Sequence, residues 1–151
     1  MKRAVLVVAA ILFGATAVVA QQDLIEQSHA NMKANGKALG GTLSPMARGD
    51  KPYDQAAIDS ALAQLEDSAK KLPSFYPASV KDVKQTSEYT PSPKIWDDKA
   101  GFDAAIANFA KAVTEAKGKI KIKDADSLKA TLPTIGKSCS GCHETYRVKN
   151  S

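Results

Sequence analysis

Five consecutive residues, Cys139-Ser140-Gly141-Cys142-His143, bring together thiols and an imidazole at a spacing that suits iron chemistry. Cys-x-x-Cys-His is the attachment pattern of a c-type haem. Cysteines three apart lie on one helical face about one turn apart, so both thiols reach one porphyrin edge and can form thioethers with its vinyl groups. The adjacent imidazole then meets the iron as an axial ligand. A bare Cys-x-x-Cys also fits a redox dithiol or half of a zinc centre. The dithiol calls for a strand–helix context, and none is apparent. A four-ligand zinc site would need a carboxylate, because the chain has only two cysteines and one other histidine, His29. A disulfide closing so short a loop would stabilise little and leaves His143 without a role. Haem attachment through Cys139 and Cys142, with His143 on the iron, accounts for all three.

The N-terminus is consistent with export. A basic start, Met1-Lys2-Arg3, precedes an apolar run from Ala4 to Val19, and Val18-Val19-Ala20 offers small residues ahead of Gln21-Gln22-Asp23. That is the pattern of a secretory signal peptide over residues 1–20, leaving a haem-binding domain over 21–151. The apolar run falls short of the ~20 residues of a spanning helix, and no later stretch is apolar enough, so no membrane span is expected after cleavage. In bacteria c-type haem is attached outside the cytoplasm, which makes the periplasm the expected location. Cleavage leaves 131 residues, the size of one compact domain, and lowers the formal net charge from +5 to +3. The lysines are scattered, with few aromatics between them, so nucleic acid is not an expected partner.

Four helical segments and no strands emerge as the elements that must position the motif. The first, from about Asp23 to Leu39, places Ile25, Ser28, Met32, Asn35, Gly36 and Leu39 on one face, with Gly40-Gly41 as its end. Asp54 is the expected N-cap of the second, whose stripe is Ile58, Ala61, Leu62, Leu65, Ala69 and Leu72, stopped by Pro73. The third opens near Asp98 with Phe102, Ile106, Phe109 and Val113 and ends near Gly118. The fourth starts near Asp124 and carries Leu128, Leu132, Ile135, Cys139, Cys142, His143 and Tyr146. Within it Pro133 predicts a kink or break near Thr131. Between the second and third lies a long proline-punctuated connection with a short helix expected around Ser79 to Gln85. Its Phe75, Tyr76, Tyr89, Ile95 and Trp96 argue for packing on the body of the protein. The result is an all-α reading, an antiparallel four-helix bundle holding haem near its C-terminal helix.

With those features assembled, the chain resembles the class II c-type cytochromes, the cytochrome c′ family, in which the haem motif lies near the C-terminus. The resemblance covers residues 21–151 and extends to Tyr146-Arg147, to Gly49-Asp50-Lys51-Pro52-Tyr53-Asp54 and to Pro93-Lys94-Ile95-Trp96. It implies one covalently attached haem c. In cytochromes c′ the first-helix residue over the distal haem face is apolar and the iron is five-coordinate. In the cytochrome c-556 branch a methionine stands there, and the matching position is Met32. The opening Gln21-Gln22-Asp23-Leu24-Ile25 also looks like that branch. Where many cytochromes c′ carry an arginine one turn earlier, this chain has Ser28.

Read from the residues alone, Met32 is either core packing or a soft thioether ligand. His29 falls toward the helix flank, as a surface residue or a propionate neighbour, and Met46 is expected to be too far from the iron. Arg147, one turn after His143, either pairs with a haem propionate or is a solvated helix end. No nucleophile–base or acid–base constellation appears, so no catalysis is expected. The reading is a periplasmic monohaem carrier of single electrons with six-coordinate, low-spin His143/Met32 ligation, meeting redox partner proteins as a monomer or homodimer. The alternative is a five-coordinate protein binding nitric oxide or carbon monoxide. A third reading is an exported dithiol or metal-binding module without haem.

Overall fold

A computed structural model describes residues 20–120 and 124–150. The signal-peptide reading falls on residues 1–20 and so lies, Ala20 apart, outside the described residues. Four long helices form an antiparallel bundle. Helix α1 covers residues 20–36 and runs without interruption into a π-helical segment, Lys37–Leu43, and then α2, Ser44–Arg48. Helix α3 is Gln55–Lys71, α5 is Lys99–Lys119 and α6 is Ala125–Tyr146, with a single turn, α4 (Lys94–Asp97), ahead of α5.

Three of the four starts are set by aspartates. Asp54 accepts from the Ala57 amide at 3.1 Å, Asp98 from Gly101 at 3.1 Å, and Asp124 from Asp126 and Ser127, both at 3.1 Å. Each satisfies amides that a helix start leaves without partners. The expected stripes are the buried faces. Ile58, Val113, Leu128 and Ile135 are fully buried, and each contributes about 1.5–3 kcal/mol.

Four expectations are corrected. Gly40-Gly41 does not end the first helix. The chain widens there into π-helical turns, with the Ser44 amide reaching back five residues to the Leu39 carbonyl. The helix stops instead at Gly49, whose φ of 79° puts it in the left-handed region that glycine adopts without penalty. Of the kink or break expected from Pro133, the break is the part corrected, since α6 runs through it from Ala125 to Tyr146. The proline ring is exposed, while Leu128, Thr131 and Leu132 before it and Ile135 after it are buried. That burial outweighs the ~3 kcal/mol cost of an interior proline. The helix expected at Ser79 to Gln85 is only the 3₁₀ turn Ala78–Val80. Finally, the fold contains two short strands, β1 (Tyr89–Pro91) and β2 (Arg147–Lys149), paired antiparallel with Tyr89 opposite Lys149 and Pro91 opposite Arg147. The connection packs as expected through Phe75, Tyr76, Ile95 and Trp96, but Tyr89 is exposed.

The start of α5 is tied to the end of α6 by one carboxylate. Asp98 caps Gly101 with Oδ1 and accepts the Tyr146 hydroxyl on Oδ2 at 3.0 Å. Gly101 makes this possible, because a Cβ there would come within 2.5 Å of the Tyr146 hydroxyl and collide with the Asp98 carboxylate. Gly101→Ala is therefore expected to lower stability by about 1–3 kcal/mol, the cost of leaving such a polar group unpaired, and Tyr146→Phe by about 1 kcal/mol. Thermal unfolding of both single variants and the double variant checks this, with the double variant losing less than the two singles together.

Candidate functional site

Helix α6 brings Cys139, Cys142 and His143 to the wall of a cavity of about 640 Å³ in the middle of the bundle. Met32 on α1 lines the same cavity, from a helix at the other end of the chain. All four side chains are half-buried. Leu65 of α3, Leu72 just past its end, and Ile106 and Phe109 of α5 supply apolar surface between them. A run of aromatic rings completes the wall. Tyr76 meets Phe102 edge-on at 5.5 Å between centroids, and Phe102 meets Tyr146 at 5.2 Å. Trp96 packs on Tyr76 from outside, its indole N–H donating to the Tyr76 and Pro77 carbonyls at 3.1 Å each.

The electrostatics match the same site. Burial pushes the thiols of Cys139 and Cys142 above their ordinary pKa, so neither is the activated thiolate that a redox dithiol uses. Burial, with the Arg147 guanidinium nearby, lowers the pKa of His143, keeping its imidazole neutral and a nitrogen lone pair available near pH 7. The two thiols are unpaired. Among the described residues no group of three or more His, Cys, Asp or Glu side chains converges on one point, so the motif lacks the companions of a zinc site. Lys33 and Arg147 are the charged side chains on the described wall, and no carboxylate joins them. A flat apolar ring system carrying two carboxylates fits this lining in volume, polarity and sign of charge.

The remaining sequence candidates separate clearly. Met46 is buried in the core and lines no part of the cavity. His29, expected on the helix flank, lines the cavity too, with the Ser87 hydroxyl 3.4 Å from its Nε2. Arg147 is the exposed, extended residue that caps the C-terminus of α6. It opens β2, and its guanidinium lies 4.3 Å from the centre of the Tyr89 ring. Ser28 is buried and shares a 2.7 Å hydrogen bond with the Tyr76 hydroxyl.

Sequence reasoning missed Tyr76 as part of the wall, along with β1, which runs beside the mouth through Tyr89, Thr90 and Pro91. An aromatic cluster in an otherwise aromatic-poor chain was the available signal for Tyr76. For β1 there was none, because its partner strand lies about sixty residues away.

Comparison with known proteins agrees with this geometry. The family model described as cytochrome C′ matches residues 23–147. Cytochrome c-556 of Rhodopseudomonas palustris is 51% identical over 99% of both chains, and cytochrome c′ of the same organism is 39% identical over 93% of this chain and 92% of its own. The structure of oxidised R. palustris cytochrome c556 superposes with a TM-score of 0.74 at 51% identity, covering 86% of this chain and 99% of that one. Proteins of this kind hold one covalently attached haem c, the group that the wall fits. The chain thus belongs to the class II cytochrome c′ family, on the side of its cytochrome c-556 branch.

Proposed function

We propose that the protein is a periplasmic monohaem electron carrier with six-coordinate, low-spin iron. Haem c supplies a one-electron couple between ferric and ferrous iron. Cys139 and Cys142 would anchor it as thioethers, and the His143 imidazole and the Met32 thioether would be the iron ligands. The observation that supports this reading is that Met32 and the α6 motif line one cavity although they lie more than a hundred residues apart. The closer likeness to cytochrome c-556, at 51% identity against 39% for cytochrome c′, points the same way.

Each residue has a task that suits electron transfer. Met32 on α1 and His143 on α6, each held by its own helix, would hold the iron with little movement between oxidation states. Leu65, Ile106, Phe109 and the Tyr76–Phe102–Tyr146 rings keep water from the iron and favour the less charged state. A thioether opposite imidazole raises the reduction potential. Arg147 can hold a propionate while its flat face rests on Tyr89. The cations at the rim would draw an acidic face of a redox partner.

Visible spectroscopy distinguishes this from a five-coordinate protein that binds nitric oxide or carbon monoxide. The ferric protein is expected to be low-spin with a far-red sulfur–iron charge-transfer band, and the ferrous form to resist carbon monoxide. Met32→Ala is expected to abolish the band and admit carbon monoxide. A high-spin wild type that takes up carbon monoxide readily would establish the other reading. Attachment is tested separately: replacing both Cys139 and Cys142 with Ala leaves haem extractable by acidified acetone, whereas the wild type keeps it through denaturation.

A further inference from the structure

Around Met32, helix α1 carries three polar side chains that reach across to other elements, and the electron carrier proposed above has no use for them as ligands. Ser28, one turn before Met32, is bonded to Tyr76. The Asn31 side-chain amide donates to Ser68 Oγ at 2.8 Å, and that of Asn35 donates to the same oxygen at 2.6 Å. Gln64 Nε2 adds a weaker 3.4 Å contact to Asn35 Oδ1. Ser68 is fully buried on α3, in a stripe that is otherwise apolar from Leu65 to Leu72.

A buried hydroxyl is costly unless its hydrogen bonds are made, and here both lone pairs of one oxygen are taken by amides from the same helix. Apolar packing tolerates some rotation of a helix, whereas hydrogen bonds are directional. Turning α1 by one residue, about 100°, would lose both amide donors together. The bonded residues sit four before, one before and three after Met32, so they bracket it along the helix. A latch is needed because α1 leads directly into the π-helical segment Lys37–Leu43, where the regular four-residue ladder of the α-helix is interrupted.

We infer that Ser68, acting through Asn31 and Asn35, is the positioning residue of the distal methionine: the latch sets the rotation of α1 at which the Met32 thioether faces the iron. The inference rests on the reading of Met32 as a ligand. Without the latch, the rotation of α1 would rest on the Ser28–Tyr76 bond and on apolar packing.

The test uses the haem-loaded protein and three variants. Ser68→Ala removes the latch and Asn31→Ala one of its two bonds; Val113→Ala trims a fully buried residue of α5 that does not line the cavity. Ser68→Ala is expected to weaken the far-red band and to raise the carbon monoxide affinity of the ferrous protein about fivefold, the factor of one net hydrogen bond. Asn31→Ala shifts both readouts in the same direction, and decides the matter if Ser68→Ala does not fold. Val113→Ala lowers the melting temperature and leaves both unchanged. The latch is overturned if folded Ser68→Ala and Asn31→Ala keep the wild-type band and carbon monoxide affinity, or if Val113→Ala shifts them as far. A wild-type protein that is high-spin before any substitution overturns the Met32 reading instead, so the two failures are told apart.

Discussion

The whole structure depends on a cavity that the protein's own side chains shape without filling. Protein interiors are normally packed as tightly as organic crystals, yet this bundle surrounds about 640 Å³ with Leu65, Leu72, Ile106, Phe109 and a row of aromatic rings. Such apolar walls are stable only against apolar matter. The haem c that proteins of this family carry supplies it, and such a cofactor belongs to the hydrophobic core as much as to the chemistry. The bundle's other requirements follow: α6 must present three motif residues on one side, and α1 must come close enough to close the other.

The devices that keep the wall in place are mostly polar, and they occur where helices begin or end. Asp98 serves α5 with one carboxylate oxygen and Tyr146 of α6 with the other. Lys51, in the turn after α2, donates to the Gly41 carbonyl inside the π-helical segment at 2.8 Å. The exposed ion pairs, such as Arg48–Asp50, carry little weight beside these, since solvent screens them. What decides the geometry is a small number of directed bonds set in an apolar bundle.

Much of this was legible in the sequence because its signals are local. Asp54, Asp98 and Asp124 announce helix starts through side chains that bond two or three residues ahead. The stripe from Ile58 to Leu72 and the spacing of Phe102, Ile106 and Phe109 depend only on helical periodicity. The haem motif is legible for the same reason, since five adjacent residues carry its whole meaning. What misled was local evidence that tertiary packing overrules. Gly40-Gly41 and Pro133 are both breakers by propensity, and both lie inside continuous helical stretches held by buried neighbours on either side. The strands β1 and β2, the bond between Ser28 and Tyr76, and the meeting of Asn31 and Asn35 at Ser68 were not legible at all. Each joins segments more than thirty residues apart, and none of the partners carries a local pattern that names the other.

The ladder of β1 with β2 has a consequence for the order in which the molecule assembles. Helices and the contacts between chain neighbours, such as α5 with α6, close short loops and form early. Pairing Tyr89 with Lys149 requires a loop of about sixty residues to close, and its ladder is only three residue pairs long. That segment of the cavity rim therefore docks after the helices have found one another. By that order the pocket gains its Tyr89–Pro91 side only when the residues just beyond Tyr146 take their place beside the connection.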